Sequence, residues 1–302
     1  MSREQREALD AQLREAPLDL GGEVAEQRVI IEEMMASTPL ADDVTTSDAT
    51  LGEIEGILVE TSETSSDRVV LYLHGGAYAL GSARVGVGLA SEVARRARAR
   101  AYSIDYRLAP EHPYPAGVDD TVAAYRGLLD SGVDARQIAI VGESAGAGLV
   151  AAALVRAKAG GLPQPACVGL MSPWVDLTLT STTLDSKADV DPLLSVQALR
   201  RRADDYVTPA DARAASPLFA DLSGLAPLLV QAGTHDILLG DAMGLARRVA
   251  ECDGRVGLDV WPDVPHVFQS FASMLDEGVD ALDALGAFVD RWLSAVDSAR
   301  TA

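Results

Sequence analysis

The chain has 302 residues and a formal net charge of −20, with 48% hydrophobic and 23% charged residues, so it can bury a sizeable core and shows no compositional mark of disorder. So acidic a surface repels phosphate backbones and anionic membranes, which argues against nucleic-acid binding and adsorption to lipid. No run approaches the ~18 apolar residues of a membrane span. Two cysteines make no disulfide framework and the N-terminus has no apolar signal core, so a reducing, cytoplasmic location is expected.

Residues 1–45 read as two amphipathic helices separated by a turn-rich break at 17–22. Leu9 and Leu13 share a face of the first, while Val29, Ile30, Met34 and Met35 cluster on the second. From about residue 51, short apolar runs at 57–60, 69–73, 101–104, 138–141, 168–171, 228–231 and 256–261 alternate with helical stretches at 84–99, 118–131, 145–159 and 240–251. This alternation implies an α/β fold with a mainly parallel sheet covered on both faces, whose site forms at the carboxyl ends of the strands. Cys167 lies in one such run and reads as a buried strand residue. Residues 185–215 break the alternation with a polar helix at 195–207, whose arginine run 200–202 reads as a solvated face. With the N-terminal helices, this insertion can form a lid over the strand ends.

The strongest motif is Gly142-Glu143-Ser144-Ala145-Gly146, a G-x-S-x-G sequence between an apolar run and a small-residue helical run. A strand turning sharply into a helix there presents the serine on an exposed, strained elbow, with the helix N-terminus adding partial positive charge. A glycine-rich turn with an incidental serine is the plain alternative. The motif lacks the Gly-Lys-Ser/Thr ending of a phosphate-binding loop.

A serine hydroxyl needs a base to take its proton. Of the four histidines, His235 and His266 follow Ser144, and His235 has no suitable acid between itself and the serine. His266, in a loop with Pro262 and Pro265, becomes the candidate base. Asp236, shortly after the run 228–231, is the candidate acid, with Asp241 as its rival, although helix capping explains Asp241 adequately. The run 69–73 ends in His74-Gly75-Gly76-Ala77-Tyr78. Glycines there let amides point into a cavity as oxyanion donors, joined by the amide of Ala145. His74 is expected to support this loop by a hydrogen bond. Met34, Met35, Tyr78, Trp174, Tyr206 and Phe268 are candidate pocket walls, with ordinary packing as the competing reading.

The segments HGGAY at 74–78, DYRLAPEHPYPA at 105–116, GESAG at 142–146, SPLFADLSGLAPLLVQAGTHDILL at 216–239 and WPDVPHVF at 261–268 occur in the order seen in the hormone-sensitive-lipase family of bacterial esterases. The chain resembles that family over roughly residues 50–295. The resemblance implies an α/β-hydrolase fold: an eight-stranded, mostly parallel sheet flanked by helices, with a helical cap. Residues 1–45 and 185–215 would form the cap, and 46–184 with 216–302 the catalytic domain. It implies hydrolysis of carboxylic esters with short or medium acyl chains, commonly short ones. The family's triad falls on Ser144, Asp236 and His266, and its oxyanion donors on Gly76, Ala77 and Ala145, with Gly75 shaping the turn. Three positions depart from the family pattern: Ala77 stands at the usual third glycine, Glu143 where aspartate is common, and Ala147 where glycine is frequent. A subset of the family resembles monoterpene lactone hydrolases, so lactones belong to the expected substrate class.

This chemistry needs no metal or organic cofactor. The expected partner is a small-molecule ester or lactone, and a homodimer is left open. Two rivals remain: an amidase, peptidase or thioesterase on the same residues, and a ligand receptor on the same fold.

Overall fold

The computed structural model describes residues 3–36 and 39–300. Eight strands form one sheet: β1 (Thr45–Leu51), β2 (Ile54–Glu60), β3 (Ser65–Leu73), β4 (Ala99–Ile104), β5 (Ile138–Glu143), β6 (Cys167–Met171), β7 (Leu228–His235) and β8 (Val256–Pro265). Their spatial order is β1-β2-β4-β3-β5-β6-β7-β8. The β1–β2 and β2–β4 pairs are antiparallel and the other pairs parallel. The expected eight-stranded, mostly parallel sheet is therefore present.

Side-chain alternation explains why the central strands read as unbroken apolar runs. On β3, Val69, Leu71 and Leu73 enter one core layer while Val70 and Tyr72 enter the other. On β5, Ile138 and Ile140 face one way and Ala139 and Val141 the other. Both faces are buried, so no polar position interrupts the pattern. Cys167 is fully buried on β6. The edge strand β1, mostly exposed, has no such pattern and lies ahead of the first apolar run in the sequence.

The helices, in chain order, are α1 (Arg3–Arg14), α2 (Val24–Ala36), α3 (Ala83–Ala97), α4 (Ala116–Asp130), α5 (Ser144–Ala159), α6 (Thr183–Ser186), α7 (Val196–Tyr206), α8 (Ala212–Ala215), α9 (Leu239–Glu251) and α10 (Asp276–Arg300). Val87, Ala90 and Val93 of α3 join Leu282, Leu285 and Val289 of α10 on one face of the sheet. On the other face lie Tyr125 and Leu128 of α4, Leu149 and Leu154 of α5, and Leu245 and Val249 of α9. Among the described residues no helix is long and apolar enough to cross a membrane.

The N-terminal helices pack over the strand ends and against the insertion. Leu9 and Leu13 of α1 pack with Val264, Phe268 and Leu275. Arg14 donates to the carbonyls of Asp189 and Val190, and Arg201 of α7 to Gly21 O and the Glu23 carboxylate. Two expectations need correction. Val29 is 56% exposed, because α2 is held largely by polar groups. The Gln27 side chain accepts the Asp19 amide, and Arg28 donates to Ala79 O and Ala109 O and pairs with Glu111. In the arginine run, Arg202 is not solvated but 1% exposed, since it shares the inward face of α7 with Leu199, Ala203 and Tyr206 and pairs with Asp205 at 2.8 Å.

Candidate active site

Ser144 sits where β5 ends and α5 begins, with φ 51°, a left-handed conformation that costs a non-glycine residue about 1–3 kcal/mol. The flanking glycines make the turn sterically feasible. A Cβ on Gly146 would collide with the carbonyl oxygens of Leu73 and His74, and one on Gly142 would lie 2.8 Å from the Gly146 backbone. The elbow is not the open surface feature expected from the motif. Ser144 is 9% exposed, and its carbonyl accepts the Trp174 amide.

The sheet then delivers two more side chains to this point. β7 runs on to His235, so Asp236 follows the strand directly, and β8 runs on to Pro265, so His266 does the same. Asp236 is fully buried; its Oδ1 accepts the Leu238 amide at 2.8 Å and its Oδ2 lies 2.9 Å from His266 Nδ1. His266 Nε2 lies 2.9 Å from Ser144 Oγ. A carboxylate at Nδ1 fixes the tautomer, leaving Nε2 as acceptor for the serine hydroxyl. The arrangement can move a proton from Ser144 to His266 and hold the resulting imidazolium. Burial alone would lower the His266 pKa, but the charge and hydrogen bond of Asp236, with the charges of Asp191 and Glu143, outweigh it and hold it above the ordinary histidine value. Asp241 is occupied elsewhere: its Oδ2 accepts the Val175 and Asp176 amides, and burial pushes its carboxyl up to about 8.

Next to the elbow, the chain leaving β3 turns through three residues with positive φ: Gly76 at 116°, Ala77 at 51° and Tyr78 at 64°. Alanine thus stands in a left-handed backbone that glycine would adopt without strain. Among the described residues neither the Gly76 nor the Ala77 amide has a protein acceptor. The Ala145 amide, in the first turn of α5, has no intrahelical acceptor. These three N–H groups can converge on developing negative charge. His74 Nδ1 lies 2.6 Å from Gly75 O and its ring stacks on Tyr106 at 4.3 Å. Burial pulls its pKa down to about 4, against the Gly75 hydrogen bond, so it is a neutral donor.

Tyr78, Trp174 and Tyr206 come together as one buried aromatic cluster. The Tyr78 ring stacks on Tyr206 at 4.1 Å, and its hydroxyl donates to Trp174 O at 2.7 Å. Phe268 belongs instead to the cluster beneath α1. Met34 is half-buried on α2, and the Met35 side chain lies outside the described residues. A cleft of about 590 Å³ opens between α1 and the ends of β7 and β8, lined by Arg6, Asp10, Arg14, Asp189, His235 and Pro265, and Met34, Tyr78, Trp174, Tyr206 and Phe268 do not border it.

Ser172 and Asp191, which no motif announces, also shape the site, as does Glu143 within the elbow motif. Ser172 Oγ accepts the Val267 amide at 3.0 Å, holding the turn after His266, where Val267 has φ 48°. Glu143 makes no capping bond to α5; its Oε1 accepts the Gly75 amide at 3.2 Å. Asp191 reaches in from the insertion to the Ile237 amide at 2.8 Å.

Residues 70–270 match a family model described as alpha/beta hydrolase fold. An acetyl-hydrolase from Streptomyces hygroscopicus is 40% identical over 224 residues, covering 74% of this chain and 75% of the relative. An esterase from Acinetobacter venetianus is 37% identical over 231 residues, covering 75% and 76%. The crystal structure of an esterase from the bacterial hormone-sensitive lipase family matches with a TM-score of 0.93 and 39% identity, covering 97% of this chain and 99% of that one. A hormone-sensitive lipase from a metagenome library matches with a TM-score of 0.92 and 35% identity, covering 97% and 99%. The chain belongs to the alpha/beta-hydrolase-fold family, among the hormone-sensitive-lipase esterases.

Proposed function

We propose that this protein hydrolyses carboxylic esters through an acyl-enzyme on Ser144, with His266 as general base and acid, Asp236 as the group that orients and stabilises it, and Gly76, Ala77 and Ala145 as oxyanion donors on a turn shaped by Gly75. The observation that carries this reading is the pair of 2.9 Å contacts joining Ser144 Oγ to His266 Nε2 and His266 Nδ1 to Asp236 Oδ2. Family membership supports ester hydrolysis as the activity.

In the first half-reaction Ser144 Oγ attacks the ester carbonyl while its proton passes to His266 Nε2. The carbonyl π electrons move to oxygen, where the three amides receive them. The tetrahedral intermediate collapses, the C–O bond breaks, and His266 returns the proton to the leaving alkoxide. Water then attacks the acyl-serine with His266 as base, releasing the acid and restoring Ser144. The acetyl-hydrolase relative favours small acyl groups. Lactones stay within the same chemistry, since an intramolecular ester differs only in keeping its alkoxide tethered.

The contacts of α1 and of the turn before α2 with the insertion support reading residues 1–45 and 185–215 as a cap on a catalytic domain of 46–184 and 216–302. A cytoplasmic protein, monomeric or a homodimer, is the corresponding cellular picture, checked by fractionation and by light scattering. The catalytic reading is tested by Ser144→Ala, which should lower kcat by roughly 10⁶; near-wild-type turnover would overturn it. A panel of esters, amides and thioesters with one acyl group separates esterase from its hydrolase rivals.

A further inference from the structure

Asp191 belongs to the insertion, lies between α6 and α7, and is 5% exposed. Both its carboxylate oxygens are engaged with backbone. Oδ1 accepts the amides of Leu193 at 2.9 Å and Leu194 at 2.8 Å, and Oδ2 accepts the amide of Ile237 at 2.8 Å. Ile237 directly follows Asp236. Its carbonyl is also held, by the Thr183 hydroxyl at the start of α6 at 2.8 Å, and that hydroxyl accepts the Gly240 amide at 2.9 Å. Asp191 from the insertion and Thr183 from just ahead of it therefore grip both backbone groups of the residue next to the candidate acid. Asp236 braces the same turn from within, through the Leu238 amide.

We propose that Asp191 is a positioning residue for the Asp236–His266 pair: it fixes the turn that carries Asp236 and sets a second negative charge beside the imidazolium formed when Ser144 gives up its proton. The proposal rests on the triad reading above. A carboxylate used only to shape its own loop would be satisfied by Leu193 and Leu194; the bond to Ile237 extends its reach to the catalytic turn. The charge matters because Asp191, Asp236 and His266 are all buried, and fixed charges act strongly there on charge that develops during reaction.

The arrangement also has a pH signature. Burial and the Asp236 charge push the Asp191 carboxyl up to about 6, while the Ile237, Leu194 and Leu193 amides pull it down. Arg14 on α1 and His266 are the cationic groups whose fields meet Asp191. His266 itself faces Asp236, Asp191 and Glu143. Above this range Asp191 is ionised and supports the imidazolium. As pH falls, its protonation withdraws that support in addition to the protonation of His266, so two ionisations depress activity on the acid side.

The test is the pH dependence of p-nitrophenyl acetate hydrolysis by wild type, Asp191→Asn, Asp191→Ser and Ser144→Ala. Wild type should show two acid-side ionisations in kcat/KM. Asp191→Asn should show one, at lower pH, with kcat reduced about ten- to a hundredfold and KM within about twofold. Asp191→Ser, whose hydroxyl can still accept from the Leu193 and Leu194 amides, should behave as the Asn variant does if that one fails to fold. A single acid-side ionisation in wild type overturns the proposal without any variant, and so does an unchanged kcat and acid limb in a folded Asp191 variant. An active Ser144→Ala would instead refute the triad reading, so the two failures are distinguishable.

Discussion

The Glu143 carboxylate accepts the Gly75 amide at 3.2 Å, joining the residue before the nucleophile to the first glycine of the neighbouring loop. The ends of two strands, β5 and β3, are thereby locked together beside Ser144. Burial raises the Glu143 pKa, against the Gly75 hydrogen bond and the nearby His266. Glu143→Ala leaves a buried amide without an acceptor, an expected loss of about 1–3 kcal/mol in stability, with a lower kcat as the loop loosens. Glu143→Gln keeps an acceptor oxygen and should retain kcat far better than Ala. Urea melts with steady-state kinetics check both; equal damage from Gln and Ala would show that the charge, not the acceptor, is what the loop needs.

The two candidate acids are separable by substitution. Asp236→Asn disturbs the His266 tautomer and should lower kcat by about 10⁴ with the fold intact. Asp241→Asn should leave kcat near wild type, because Asp241 serves the Val175 and Asp176 amides rather than His266. The reverse pattern in kcat would reassign the acid.

The pH dependence has opposite signs for activity and stability at His266. Its pKa is held above the ordinary value, and the protonated ring cannot accept from Ser144, so kcat/KM falls as pH drops through that raised value. For stability, a raised pKa favours the folded state most fully below the unfolded histidine pKa, and this contribution fades as pH rises through the folded value. His74 runs the other way. Its pKa is depressed to about 4, so the unfolded chain binds the proton first, and stability declines as pH falls from about 6.5 towards 4. Denaturation midpoints of His74→Gln against wild type across pH 4–8 isolate this second effect: the wild-type decline should be smaller in the variant, and an identical slope would contradict the assignment.

The elbow tolerates no side chain behind Ser144. Gly146→Ala places a methyl against the Leu73 and His74 carbonyls, an overpacking expected to cost about 1–3 kcal/mol, and it displaces the oxyanion turn as well. Calorimetry should show the lower melting temperature together with reduced kcat. Wild-type values for both would mean that β3 and α5 are less tightly apposed than described.

Much of this was legible in the sequence, and the reasons are physical. Strands buried on both faces announce themselves as apolar runs, as β3 and β5 do; β1, paired only with β2 and mostly exposed, does not. Ser144 could be found because strain and close approach demand glycines around it, and Asp236 and His266 because few residues satisfy the chain order. Asp191 could not, being one of 45 acidic residues, in a polar stretch whose contacts with residue 237 are purely tertiary. Arg202 misled for a related reason: an arginine in a charged run looks solvated unless the inward face of its helix is known.

The proposed chemistry turns on Ser144 being an activated nucleophile. Mass spectrometry after treatment with a fluorophosphonate measures this directly. One adduct per chain is expected, on the peptide containing Ser144, absent in Ser144→Ala and formed far more slowly in His266→Ala. A wild-type protein that remains unmodified, or carries its adduct on another residue, would contradict it.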